Sequence, residues 1–210
     1  MASEKNLNAV FTDIANAIRE KKGTTDQIKP INMAEEITNL STAANGTLKA
    51  LLDRTRSCYY LFNQYKGTSV DGLISYSDTS NVTNMSHMFY YCSSLTTIPQ
   101  LDTSKVNIMG DMFYNCSSLT TVPQLDMSSV TDMSNMFYKC SSLKSILMTG
   151  MKTHFNISVS TNFEESDLVT ILNNLAIVTS TKTLTMGSTN LAKLTDEEKA
   201  IATNKGWTLK

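Results

Sequence analysis

Three consecutive stretches of this chain are versions of one another. Residues 78–101 read DTSNVTNMSHMFYYCSSLTTIPQL, residues 102–125 read DTSKVNIMGDMFYNCSSLTTVPQL, and residues 126–149 read DMSSVTDMSNMFYKCSSLKSILMT. The first two agree at 17 of 24 positions, and all three share 11. A unit of this length cannot enclose a core alone, so the copies must stack and bury their apolar faces on each other.

The shared positions carry a physical pattern. Met85, Met88, Phe89 and Cys92 are spaced i, i+3, i+4, i+7, which predicts one face of a short helix in each copy. Leu95 to Ile98 is short and rich in β-branched residues, which suits a strand ended by Pro99 or Pro123. Asp78, Asp102 and Asp126, each followed by Thr or Met and then Ser, read as turn residues. The unit is therefore turn, extended piece, helical turns, strand: an α/β repeat.

Stacking puts Cys92, Cys116 and Cys140 at one phase, and the expectation is a buried thiol filling the same gap in each coil. Zinc needs four converging ligands, commonly from paired C-x-x-C spacings, and none occurs, so no metal is expected. The stacked aspartates lack the Gly-rich nonapeptide of calcium-binding β-rolls. The phased methionines read as soft core packing.

Composition follows from the repeat. Of 210 residues 52 are Ser or Thr, many from DTS, CSS and LTT recurring once per coil. Lys and Arg number 18 against 19 Asp and Glu, for a net charge of −1, which excludes the electrostatic footprint of a nucleic-acid binder. No apolar run is long enough for membrane insertion. The first residues lead into an amphipathic segment, not an apolar signal region, so the chain is expected to stay in the cytosol or leave by lysis.

No catalytic constellation is present. His87 and His154 lack a matched nucleophile motif, and no GxSxG, Walker A, HExxH or GxGxxG occurs. The expectation is a non-enzyme without cofactor. The repeated surface is the candidate for function: Tyr90, Tyr114 and Tyr138 follow the core Phe and should form an aromatic file. Beside them Tyr91, Asn115 and Lys139 vary, as do His87, Asp111 and Asn135. Such variation suits a recognition surface; the alternative is that these tyrosines cover helix edges or meet a neighbouring subunit.

The flanks divide the rest. Residues 1–46 hold two helical patterns, with Leu7, Val10, Phe11, Ile14 and Ile18 on the first, and Met33 and Ile37 on the second. This pair is read as an anchoring or oligomerisation segment, with a folded lid as the alternative. Residues 47–77 are read as an N-terminal cap, following the helical period from Thr47 to Tyr65, with Leu61-Phe62 as a degenerate Met-Phe of an initial coil. Residues 150–210 form the C-terminal cap: a helix with Leu168, Ile171, Leu172 and Leu175, a strand over 182–186, and a helix from Asp196 opened by the Thr195/Glu198 capping box. Trp207 is read as a core plug, with a sugar-stacking platform as the alternative.

The unit D-x-S-x-V-T-x-M-x-x-M-F-x-x-C-x-S-L-x-x-I-P resembles the BspA-like leucine-rich repeat family in its bacterial and phage form. The third copy departs, with Leu147 where Pro99 and Pro123 stood. Residues 14–37 and the C-terminal segment from Leu184 resemble flanks of phage tail, baseplate and fibre-associated proteins. The resemblance implies a short right-handed leucine-rich-repeat solenoid with parallel strands, carrying a helical N-terminal region and an α/β C-terminal cap. It implies a phage virion structural protein (tail, baseplate or fibre), assembled in the host cytoplasm, whose partners are other virion proteins and a host surface glycan or protein. A homo-oligomer, with a trimer by analogy to fibres, is expected. The alternatives are a bacterial cell-surface adhesin and an intracellular interaction scaffold.

Overall fold

The computed structural model describes residues 52–53 and 56–210. The anchoring candidates Leu7, Val10, Phe11, Ile14, Ile18, Met33 and Ile37, and both helices expected over 1–46, lie outside these residues.

The repeats lie one above another in parallel. Asn84 bridges Ile108, and Ile108 bridges Asp132, the same position in each copy. Further along the unit, β1 (Thr121–Val122) pairs with β2 (Ser145–Ile146) in parallel, Thr121 opposite Ser145. In the first copy the corresponding piece is joined through Thr120, whose N–H and hydroxyl both donate to Thr96 O, at 3.0 and 3.1 Å.

The helix predicted over Met85–Cys92 is not formed; the chain makes consecutive turns there. Alternate amides do different work. The N–H groups of Met85, His87, Phe89 and Tyr91 donate to the carbonyls of Ile108, Gly110, Met112 and Tyr114 in the next copy, at 2.8–3.0 Å. Those of Met88, Tyr90 and Cys92 return to the carbonyls three residues back, at 3.1–3.2 Å. A helix over these residues would turn the amides from its fifth position on, Phe89 and Tyr91 among them, to its own carbonyls and away from the next copy. The compromise puts a left-handed residue at every fourth position: His87 and Tyr91 (φ 57° and 60°), Asp111 and Asn115, Asn135 and Lys139. Met85, Met88, Phe89 and Cys92 all remain fully buried, so the inward stripe survives without the helix.

The described part of 47–65 is likewise not helical from Arg56 onward. It forms an earlier coil, with Ser57 bridging Asn84 and the Phe62 N–H donating to Met88 O at 2.9 Å. Phe62 stacks on Phe89 (5.5 Å between centroids, 4° between planes), Phe89 on Phe113 and Phe113 on Phe137. This spine of rings carries each copy onto the next, every Phe buried to 1 % exposure or less. Burial of each is worth about 2–3 kcal/mol. A short helix α1 (Tyr76–Thr79) leads into the first repeat, with Asp78 accepting from the Ser75 amide and hydroxyl. Asp102 accepts in the same way from Ser104, and Asp126 from the Ser128 amide. The turn aspartates are thus served by their own neighbours.

Beyond the repeats, β3 (Phe155–Asn156), β4 (Lys182–Thr185) and β5 (Trp207–Leu209) form a parallel sheet with β4 central. Helices α2 (Glu165–Asn173), α3 (Ser188–Leu191) and α4 (Asp196–Thr203) complete this region. Helix α2 packs on β2 and α4. Thr195 accepts from the Glu198 amide at 3.2 Å while Glu198 accepts from the Thr195 amide at 2.8 Å, closing the capping box of α4. The Lys205 ammonium binds the carbonyls of Leu172, Asn173 and Leu175 at the end of α2, where a cation is favourable. Trp207 is buried, its indole N–H donating to Ala176 O at 2.9 Å and its ring edge-on to Phe155.

Candidate recognition surface

Each copy presents a tyrosine immediately after its buried Phe. Tyr114 lies on Tyr90 at 4.9 Å and Tyr138 lies on Tyr114 at 4.7 Å, with planes 26° and 30° apart. These are offset-stacking distances. Tyr91 joins the row, 4.7 Å from Tyr90 and 5.5 Å from Tyr114. Tyr90 and Tyr114 are half-buried, whereas Tyr91 and Tyr138 are exposed, Tyr138 to 44 %. The left-handed positions flank the row. His87 faces Asp111 at 3.6 Å (Nε2 to Oδ2) and touches the Tyr90 ring. Lys139 places its ammonium 5.6 Å over the Tyr138 ring. Asn115 is half-buried and Asn135 exposed.

The structure supplies a second reason for the variation at 87/111/135 and 91/115/139. These are the left-handed residues, where Asn and Asp are tolerated better than others. Their side chains are therefore chosen partly by backbone conformation.

Tyr59 and Tyr60 extend the row and were not nominated from the sequence. Tyr60 takes the left-handed place that His87 has in the next copy and lies 4.6 Å from His87, with Tyr59 against both, 4.5 Å from Tyr60 and 5.3 Å from His87. The signal was present in Leu61-Phe62, but this coil sits three residues further from its neighbour than repeats do. Burial, then the charges of neighbouring tyrosines and Asp111, hold the Tyr90 and Tyr114 phenols above the ordinary value; Tyr60 is raised by burial and Tyr59.

The thiols face the other way. Cys92, Cys116 and Cys140 are fully buried, each donating to the carbonyl of the preceding copy's Phe: Phe62, Phe89 and Phe113. Burial pushes Cys140 up to about 12. Cys116 is raised further by its bonding to Cys92 and by burial, and Cys58 by burial and then the Asp78 charge. A buried thiol so raised is neither nucleophile nor metal ligand at neutral pH. Among the described residues no three His, Cys, Asp or Glu side chains converge as a metal-binding group, and no helix is long and apolar enough to cross a membrane.

A family model described as a Mycoplasma protein of unknown function, DUF285, matches residues 56–171, more than half of the chain. The chain belongs to the DUF285 family. The DUF285 match opens at Arg56, where the earliest described coil begins, and closes inside α2. It therefore takes in every stacked coil and stops before β4, α4 and β5. No curated protein and no solved structure matches.

Proposed function

We propose that this DUF285 chain is a non-enzymatic structural protein of a phage or prophage particle, a tail, baseplate or fibre component. In this reading residues 78–149 are a short right-handed leucine-rich-repeat solenoid of the BspA-like kind. Residues 47–77 and 150–210 cap it, and residues 1–46 anchor it or join it to further copies, with a trimer as the working assembly. Its partners are other virion proteins and a host surface glycan or protein, with no cofactor, nucleic acid or membrane insertion involved.

The observation that carries this reading is the row Tyr90, Tyr114 and Tyr138, with Tyr59, Tyr60 and Tyr91 around it. Rings held at fixed spacing by backbone bonds between copies offer a large contact area whose ordering cost is met during folding. Aromatic clusters of this kind, edged by amide and charged groups, suit binding more than reaction. Mass spectrometry of purified particles tests the assignment, with the chain expected in them and its amount reduced by deletion of residues 1–46. Absence from particles overturns it.

The family's description names a bacterium, Mycoplasma, and the second reading is a bacterial cell-surface adhesin. Surface labelling of intact cells, with no chain in particles, would select it.

A further inference from the structure

Pairing continues past the third repeat at its turn end, where Asp126 bridges Thr149 and Met151 bridges Leu175, but on the side of the tyrosine row it stops and leaves an unused set of bonds. In the first two copies the amides at the left-handed positions and at the buried Phe donate to carbonyls of the next copy. Their counterparts in the third copy, the N–H groups of Asn135, Phe137 and Lys139, have no acceptor among the described residues. The row of tyrosines stops at the same level. Both faces of Tyr114 are covered, by Tyr90 and Tyr138, whereas Tyr138 meets no ring beyond Tyr114 among the described residues.

The following chain does not close this gap. It passes at a distance, with Phe155, Asn156 and Val159 on the far side of a cleft of about 290 Å³. Thr183 and Thr185 of β4 line it, as does His154. The Thr183 N–H donates to His154 Nδ1 at 2.9 Å, so an imidazole hydrogen sits on Nε2, a further donor with no acceptor among the described residues. No Asp, Glu, Lys or Arg lines the cleft.

We infer that this cleft is a binding site for a single N-acetylated sugar residue, an inference that rests on reading the chain as a recognition protein. The free amides are those that bind peptide carbonyls elsewhere in the stack, and an acetamido group presents the same amide carbonyl. The open face of Tyr138 is where the next aromatic ring would lie, and a pyranose ring packs on such a face through its C–H groups. Lys139, whose ammonium lies 5.6 Å over the Tyr138 ring, is exposed and outside the cleft's lining, so it can swing away from that face. Ring hydroxyls meet Thr183, Thr185 and the Asn156 amide. The volume equals that of about ten waters, which fits one sugar ring in place of a continuous peptide strand. The lack of lining charge favours a neutral ligand.

The test is an amide-resolved NMR titration of the full chain with the methyl glycosides of N-acetylglucosamine and N-acetylgalactosamine. Methyl glucoside and an acetylated dipeptide amide serve as comparisons. A single residue of this size should bind with Kd on the order of 1 mM. The one of the Asn135 and Phe137 amides that bonds the acetamido oxygen should move downfield with an N-acetylated sugar and not with glucoside. Tyr138→Ala should weaken binding about tenfold. His154→Asn, whose Oδ1 replaces Nδ1 as acceptor for the Thr183 amide, should weaken it with the fold unchanged. The inference fails if no N-acetylated sugar moves these amides at tens of millimolar, if glucoside moves them equally, or if the dipeptide binds more tightly. Shifts confined to Tyr90 and Tyr91 would also overturn the cleft while leaving a recognition surface in place. Failure of the recognition reading shows separately, as absence from both particles and cell surface.

Discussion

Cys116 gives its thiol hydrogen to the carbonyl oxygen of Phe89 in the preceding repeat, 3.0 Å away. The same oxygen accepts the Cys92 N–H at 3.1 Å, so the local turn uses one lone pair and the next copy the other. A residue here must be small, apolar enough for full burial, and able to donate. Cys116→Ala removes the donor and opens a small void, and should cost about 1–3 kcal/mol. Cys116→Ser keeps a donor and should cost less than the alanine variant. Urea unfolding followed by the fluorescence of the single Trp207 measures both.

The raised thiols make a separate prediction about chemistry. With Cys140 pushed up to about 12, and Cys58 and Cys116 raised with it, none should react with iodoacetamide at neutral pH while the protein is folded. All four should alkylate on denaturation. The sign for stability follows from linkage: the unfolded state loses these protons first. The thiols' contribution is therefore complete below their ordinary value of 9.0 and falls as pH rises toward about 12. Mass spectrometry after timed alkylation reads the first effect, and thermal melts at alkaline pH read the second.

The legible part of the fold is the part that repeats. The phase of Phe89, Phe113 and Phe137 marks the ring spine directly, because identical residues at one period must stack in register. The spacing over Met85–Cys92 predicts a helix that does not form because burial and backbone obey different demands there. Its apolar spacing is that of a helix stripe, while half of its amides are committed to the next copy, a commitment no local pattern records. In the C-terminal region, Thr195 and Glu198 announce α4 because a capping box is a local device. Tyr90, Tyr114 and Tyr138 are visible for the same reason as the Phe spine. The cleft beside Tyr138 is not visible, since His154 and Thr183 are brought to it by strands far apart in sequence. Its free amides exist because the repeat ends there.

Tyr114 lies between two rings, and its phenol is held above the ordinary 10.0 by burial and then by Tyr91, Tyr138, Tyr90 and Asp111. A phenol raised in the folded state stabilises below its unfolded value and loses that contribution as pH climbs through the folded one. The melting temperature should therefore fall above about pH 10. Tyr114→Phe should show a shallower fall, since one of the raised phenols is gone. The 295 nm absorbance of the wild type should also titrate late for this residue. An identical alkaline slope in the variant would show that Tyr114 does not contribute.

Lys139 has φ 61°, a conformation that costs a residue with a side chain about 1–2 kcal/mol. Glycine takes it without that cost but loses more chain entropy on folding. Lys139→Gly also removes the ammonium over Tyr138, worth about 0.5 kcal/mol at an exposed site. The net expectation is a gain in stability of up to about 1 kcal/mol. Lys139→Val puts a β-branched side chain into the same backbone and should destabilise by a similar or larger amount. Asn115 occupies the equivalent place in the second repeat at φ 59°, where Asn is already tolerated, so Asn115→Gly should change stability little. Urea midpoints for the three variants decide the matter. The order Lys139→Gly above wild type, Asn115→Gly near it and Lys139→Val below it would show that backbone conformation sets the side chains at these variable positions. Equal midpoints would leave ligand recognition as their reason.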